Sequence, residues 1–268
     1  MKLRIFLIGC MLMTAVFADA QPTYVGFDKN GYPGDDLLPA LHKTFAYTGY
    51  WLNSPPGMSN NPWTGKRRVV RAAGFGFLAL FNGRLDAQLK GHDEAELGRE
   101  DAANAVDSAK REGFPPGTII FLDQEEGGSL LPEQAGYIGA WLVAVNHSAY
   151  NPGIYCSGIA VPSGAQMIST AQDIATRFPN VKLWVWDDRC PPAPGCIVPE
   201  KDFDPEKSAL VRALAWQYAQ SPRRPEDTAA CQNTYAADGR CYAPEPAHSE
   251  QTYLDLDLSR SPDPSHGR

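Results

Sequence analysis

Apolar positions in this chain come in short runs, separated by longer stretches with apolar residues at helical spacing. Eight runs predict strands: "YVGFD" (Tyr24–Asp28), "FAYTGYWL" (Phe45–Leu52), "GFGFLALFNG" (Gly74–Gly83), "TIIFLD" (Thr118–Asp123), "PGIYCSG" (Pro152–Gly158), "KLWVWD" (Lys182–Asp187), "ALAWQYA" (Ala213–Ala219) and "YLDLDLS" (Tyr253–Ser259). Helices are predicted around Leu37–His42 and over Thr64–Ala73, Glu94–Glu112, Pro132–His147 and Gly164–Phe178, the last stopped by Pro179. Strands that alternate with helices pair in parallel through right-handed crossovers. Eight of them in 268 residues predict an α/β fold, a single (β/α)8 TIM-type barrel. The rival is an open doubly wound sheet, but no G-x-G-x-x-G follows the first strand.

Two stretches fall outside the repeat. "SPPGMSNNPW" (Ser54–Trp63) reads as an ordered surface loop, and the polar run 220–251 as an excursion bordering one end of the barrel. The barrel therefore spans 21–259, and 260–268 is expected to be a disordered tail.

Residues 1–20 read as a secretory signal peptide. Lys2 and Arg4 are its positive end, Ile5–Phe17 its apolar run, and Ala18-Asp19-Ala20 its cleavage site. The competing membrane anchor is short of the ~20 apolar residues a span needs. In the lipoprotein-like "LIGC", Cys10 comes too early, with the apolar run continuing past it. The mature protein is thus expected outside the cytoplasm, extracellular or periplasmic, with no membrane span.

Composition narrows the partners. With 43% hydrophobic residues the chain can bury one sizeable core, and at a formal charge of −7 without a basic stripe it offers nothing to nucleic acid. In an exported protein, Cys190 with Cys196 and Cys231 with Cys241 are expected to form disulfides across short loops. A zinc site would call for C-x-x-C spacing or clustered histidines, which are missing here. Cys156, in an apolar strand, is expected to be a buried free thiol.

The candidate chemistry sits at strand ends. In "TIIFLDQEEGG", Ile119, Phe121, Asp123 and Glu125 share one face, and turning that face inward leaves Ile120 and Leu122 to pack on helices. Two strand residues separate the backbones of Asp123 and Glu125 by about 6.6 Å. Paired carboxylates ~5–10 Å apart are the geometry of glycoside hydrolysis, one donating a proton and the other stabilising positive charge on the sugar. A solvated strand end would look the same in isolation. Asp28, Asp187 and Asp255 or Asp257 add acids at other strand ends, and Trp51, Tyr155, Trp184, Trp186, Trp216 and Tyr218 add aromatics that serve either the core or a sugar platform. Neither G-x-S-x-G nor H-E-x-x-H occurs.

With these motifs in order, the chain resembles the bacterial glycoside-hydrolase-like domains, similar to family 25 glycoside hydrolases, the muramidase lysozymes. "GFDKN", "IIFLDQE", "PGIYCSG", "LWVWD", "WQYAQ" and "YLDLDL" carry the resemblance. It implies Glu125 as general acid, Asp123 as its partner carboxylate, and Asp28 in the same catalytic pocket. It further implies Asp187 as a fourth acidic position and Trp216, Gln217 and Tyr218 as residues that shape the sugar site or the barrel wall, while Trp184, Tyr155 and Asp255 are substrate-binding candidates by their places on the predicted strands. The implied partner is a polysaccharide, the β-1,4 glycan of peptidoglycan or a related amino-sugar polymer, handled by a monomer without metal or organic cofactor. A glycan-binding barrel that keeps the pocket without turnover is the alternative. Relative to the lysozymes, the strand 6 end reads "WDDR" without a following tyrosine, and a third acid, Glu126, adjoins the pair.

Overall fold

The computed structural model describes residues 22–190, 204–208, 212–220 and 254–268. In chain order these give β1 (Tyr24–Asp28), α1 (Leu38–Leu41), β2 (Tyr47–Trp51), α2 (Arg67–Ala72), β3 (Gly76–Asn82), α3 (Asp86–Leu89), α4 (Glu94–Glu112), β4 (Ile119–Gln124), α5 (Pro132–Asn146), β5 (Asn151–Ser157), β6 (Val161–Ser163), β7 (Gln166–Ile168), α6 (Thr170–Arg177), β8 (Lys182–Cys190), β9 (Ala215–Ala219) and β10 (Asp255–Ser259).

Eight strands close into a barrel in the order β1-β10-β9-β8-β5-β4-β3-β2. The fold is α/β as expected, but it departs from a uniform (β/α)8 arrangement. Strand β10 runs antiparallel to both β1 and β9, while the other neighbours are parallel. Among the described residues there are six α-helices, two of them between β3 and β4. Alternation of apolar and polar residues specifies which face a side chain takes and carries no information on strand direction.

The reversal of β10 has two structural consequences. Its first residue, Asp255, lies beside Asp28 at the carboxyl end of β1, and Asp257 lies deeper, beside Gly26. The chain then leaves β10 at the opposite end of the barrel. There the last nine residues, expected to be disordered, are ordered and bonded to the ends of β3 and β4. Ser265 N donates to the Phe77 carbonyl (2.8 Å), Ile119 N to the Ser265 carbonyl (2.8 Å) and Ala79 N to Ser265 Oγ (2.9 Å). The buried Arg67 guanidinium packs on Phe114 and donates to the Gly267 carbonyl. This polar tail is held by satisfying backbone groups rather than by burying apolar side chains.

Caps fix the main helices. Asp93 accepts from Glu96 N at the start of α4, and Gly113 ends it in the left-handed conformation at φ 78°. The stretch expected to begin a helix at Gly164 is instead the β6–β7 hairpin, with Gly164 at φ 61° in its turn. Helix α6 begins only at Thr170, where Ser169 and Gln172 cap each other reciprocally. Cys156 is a buried free thiol, its ionisation pushed up by burial. Cys196, Cys231 and Cys241 lie outside the described residues, as do residues 1–20, expected to be a signal peptide, and nearly all of 220–251, so neither expected disulfide pairing falls within the described structure.

Candidate active site

The register of β4 sets the site. Residues Ile119 and Phe121 fill the barrel interior against Gly153, where a Cβ would stand 2.7 Å from the Phe121 ring. Continuing the alternation brings Asp123 inward at the carboxyl end of β4. A pocket there is lined by Asp28, Asn30, Trp51, Leu80, Asp123, Glu125, Tyr155, Trp184, Gln217, Gln220 and Asp255. Glycines on β1 and β2 make the room. A Cβ at Gly49 would stand 2.5 Å from Asp28 Cβ, and one at Gly26 would enter the Tyr47 ring. Residue 49 is therefore glycine so that Asp28 can point into the barrel.

The acids are deeply placed. Asp28, Asp123, Asp255 and Asp257 are 5%, 3%, 7% and 0% exposed, while Glu125 stands exposed at the mouth. Gln217 Nε2 donates to Asp28 Oδ2 (2.6 Å), and Tyr155 Oη donates to Gln217 Oε1 (2.9 Å). Trp184 Nε1 donates to Asp257 Oδ1 (2.9 Å). Neither oxygen of Asp123 receives a hydrogen bond from a described residue.

Burial dominates the electrostatics. It pushes the Asp123 carboxyl well above the usual carboxylate range, and the charges of Glu125 and Asp28 push it further. Asp257 is raised in the same way, by burial first and then by Asp28; the Trp184 N–H pulls it back, while Asp255 and a hydrogen bond to Asp28 raise it again. A hydrogen bond between two carboxyls needs a proton on one of them. Burial lowers the Lys29 ammonium, and Asp255 offsets part of that effect. No three described His, Cys, Asp or Glu residues are arranged to hold a metal ion.

Of the positions singled out in the sequence, Asp28, Asp123, Glu125, Asp255, Tyr155, Trp184 and Gln217 come together in this pocket. Asp187, Trp216 and Tyr218 do not line it. Trp216 and Tyr218 alternate with Gln217 and stack edge to face with ring centroids 5.9 Å apart, and Trp216 Nε1 donates to the Asp187 carbonyl. Trp51, Tyr155 and Trp184 reach the pocket as buried walls rather than open stacking faces. Glu126 turns away: its Oε2 accepts from Asp86 N at the start of α3 (2.7 Å) and from Gln134 Nε2 (2.6 Å). Sequence reasoning missed Asn30 and Lys29, although both lie in the quoted "GFDKN". Loop residue Asn30 is tied to 54–63 through Asn30 Nδ2 to the Pro56 carbonyl and Trp63 Nε1 to the Asn30 carbonyl.

Known proteins give this barrel its setting. A structure of an uncharacterized B. stearothermophilus protein is similar at TM-score 0.57 and 19% identity, covering 88% of this chain and 95% of that one. The Mycobacterium tuberculosis Tat-secreted protein Rv2525c is similar at TM-score 0.51 and 11% identity, over 87% and 94%. A family 25 glycosyl hydrolase from Bacillus anthracis is similar at TM-score 0.50 and 10% identity, over 89% of each chain. At these identities the likeness is one of fold. No curated protein matches the sequence. The family described as Rv2525c-like, glycoside hydrolase-like domain matches residues 46–238. With more than half of its length matched, the chain belongs to the Rv2525c-like glycoside hydrolase-like domain family.

Proposed function

We propose that the protein is an exported glycoside hydrolase that cleaves peptidoglycan or a related amino-sugar glycan between Glu125 and the buried acids behind it. The observation that carries this reading is the pairing of Asp123, buried and driven towards its protonated form, with the exposed Glu125 two residues on. Burial first, and then the charge of Glu125, raises Asp123. A sugar laid across the mouth removes water from Glu125 and favours its protonated form. Glu125 then donates that proton to the departing glycosidic oxygen; as positive charge develops on the sugar ring, Asp123 releases its own proton to solvent and, now ionised, stabilises that charge. Asp28, held by Gln217, adds negative potential on the same side. The family membership supports a glycan as the target, and the charged-then-apolar pattern of residues 1–20 supports a target outside the cytoplasm.

Release of reducing ends from purified peptidoglycan tests the reading. The wild-type protein is expected to be active and Glu125→Gln to lose about 10² or more, as for removal of a general acid. Undiminished activity in Glu125→Gln would refute the assignment, and binding without cleavage by either protein would make the barrel a glycan-binding module.

A further inference from the structure

The floor of the pocket has properties that constrain its ligand beyond the class of polymer. Asp123 lines it with both carboxyl oxygens lacking a donor from any described residue, although the residue is 3% exposed. The charges that act on it come from Glu125 and Asp28, both acidic. A buried carboxyl in that position either keeps a proton or receives a cationic donor. The cavity itself is about 20 Å³, room for one water-sized group.

We propose that the sugar seated here carries a free amino group: an N-unsubstituted hexosamine whose ammonium enters the floor of the pocket and bonds to Asp123. The inference rests on the glycan-cleaving reading above and names its substrate class. An ammonium is the size of a water molecule and brings three N–H donors, enough for both Asp123 oxygens and one further acid. An acetamido group brings a single N–H and no charge, so it leaves one Asp123 oxygen without a donor and its charge uncompensated. A hydroxyl fits but supplies a single donor and no charge. On binding, the ammonium replaces the proton on Asp123, so a proton is released to solvent. The titratable groups facing Asp123 are Glu125 on the loop after β4, Asp28 on β1, and Tyr155 and Cys156 on β5. Burial holds the Tyr155 phenol and the Cys156 thiol in their protonated forms, so the released proton comes from the carboxyls.

Calorimetric titration separates the possibilities. The probes are the β-1,4-linked glucosamine tetramer, its fully N-acetylated counterpart and cellotetraose, at about pH 6 and about 0.15 M salt to screen general attraction to an acidic chain. Wild-type protein is expected to bind the amino tetramer about tenfold or more tighter than either neutral tetramer. Repeating the titration in buffers of different ionisation enthalpy is expected to show about one more proton released with the amino tetramer than with either neutral tetramer, a readout that needs no variant. Asp123→Asn is expected to abolish the preference, and Asp107→Asn, which removes an exposed charge on α4, to keep it. Equal or tighter binding of the N-acetylated tetramer overturns the inference while leaving the sugar site standing. A preference that persists in Asp123→Asn also overturns it, because the attraction then lies elsewhere. Failure of all three tetramers to bind overturns the inference and the glycan reading together.

Discussion

Gln217 is the residue that orients Asp28. Its amide donates to Asp28 Oδ2 at 2.6 Å because Tyr155 Oη, a hydroxyl that donates at 2.9 Å, fixes which end of the amide is the acceptor. Replacing it with Leu removes the Nε2 donor from Asp28 and leaves the buried Tyr155 hydroxyl without its acceptor. The expected cost is about 1–3 kcal/mol per group left unsatisfied, read as a lower urea midpoint at unchanged slope. A variant as stable as wild type would mean that the chain from Tyr155 to Asp28 contributes nothing.

Gly49 and Asp28 form the second test. A methyl at residue 49 would stand 2.5 Å from Asp28 Cβ, so Gly49→Ala forces Asp28 or strand β2 to move. Overpacking of this kind typically costs about 1–3 kcal/mol. Glycan cleavage is expected to fall as well, because the displaced group faces the site. Unchanged melting temperature and turnover would contradict this placement of Asp28.

The raised carboxyls make stability depend on pH in a defined direction. Asp123 and Asp257 hold their protons in the folded state to higher pH than in the unfolded chain. Below the unfolded carboxylate range, near pH 4, both states are protonated and the full stability is present. As pH rises from there towards the folded value, the unfolded chain releases protons first, and stability falls by about 1.4 kcal/mol per pH unit for each group. Urea unfolding from pH 4 to 7 is expected to show this decline, flattened in Asp123→Asn. A wild-type stability that rises across that window would contradict the assignment.

At the far end of the barrel, residues 262–268 close the floor. Removing them frees the amide donors of Ile119, Phe77 and Ala79 and leaves the buried Arg67 guanidinium without the Gly267 carbonyl. At about 1 kcal/mol per hydrogen bond, more where a charge is involved, the truncation is expected to cost about 4 kcal/mol or more. Ser265→Ala, which deletes only the bond to Ala79 N, isolates about 1 kcal/mol of that. A truncated protein that unfolds at the wild-type midpoint would show the tail to be idle.

Much of this was legible in the sequence. The period-two runs located all eight barrel strands, and the inward face of β4 followed from Ile119 and Phe121 sharing a parity with Asp123. The direction of β10 was not legible, because "YLDLDLS" alternates identically read either way. Its reversal decides that Asp255, and not Asp257, stands at the mouth. The tail "RSPDPSHGR" was misread because its order comes from backbone and hydroxyl hydrogen bonds, which leave no apolar signature. "WQY" pointed to the site through Gln217 alone, since its two aromatic neighbours fall on the other parity. In "DQEE", alternation puts Glu125 on the face of Asp123 and Glu126 on the other, without saying what Glu126 bonds. Only the fold shows that Glu126 turns to cap α3.

Locating a bound sugar is the most direct test of the central claim, that the pocket between β1, β4 and β10 is where glycan is held and cut. A crystal structure of Glu125→Gln soaked with an amino-sugar oligosaccharide is expected to place a ring over Asp28, Asp123 and residue 125, with one substituent reaching Asp123. A sugar seated anywhere else on the protein, with this pocket empty, would contradict the claim.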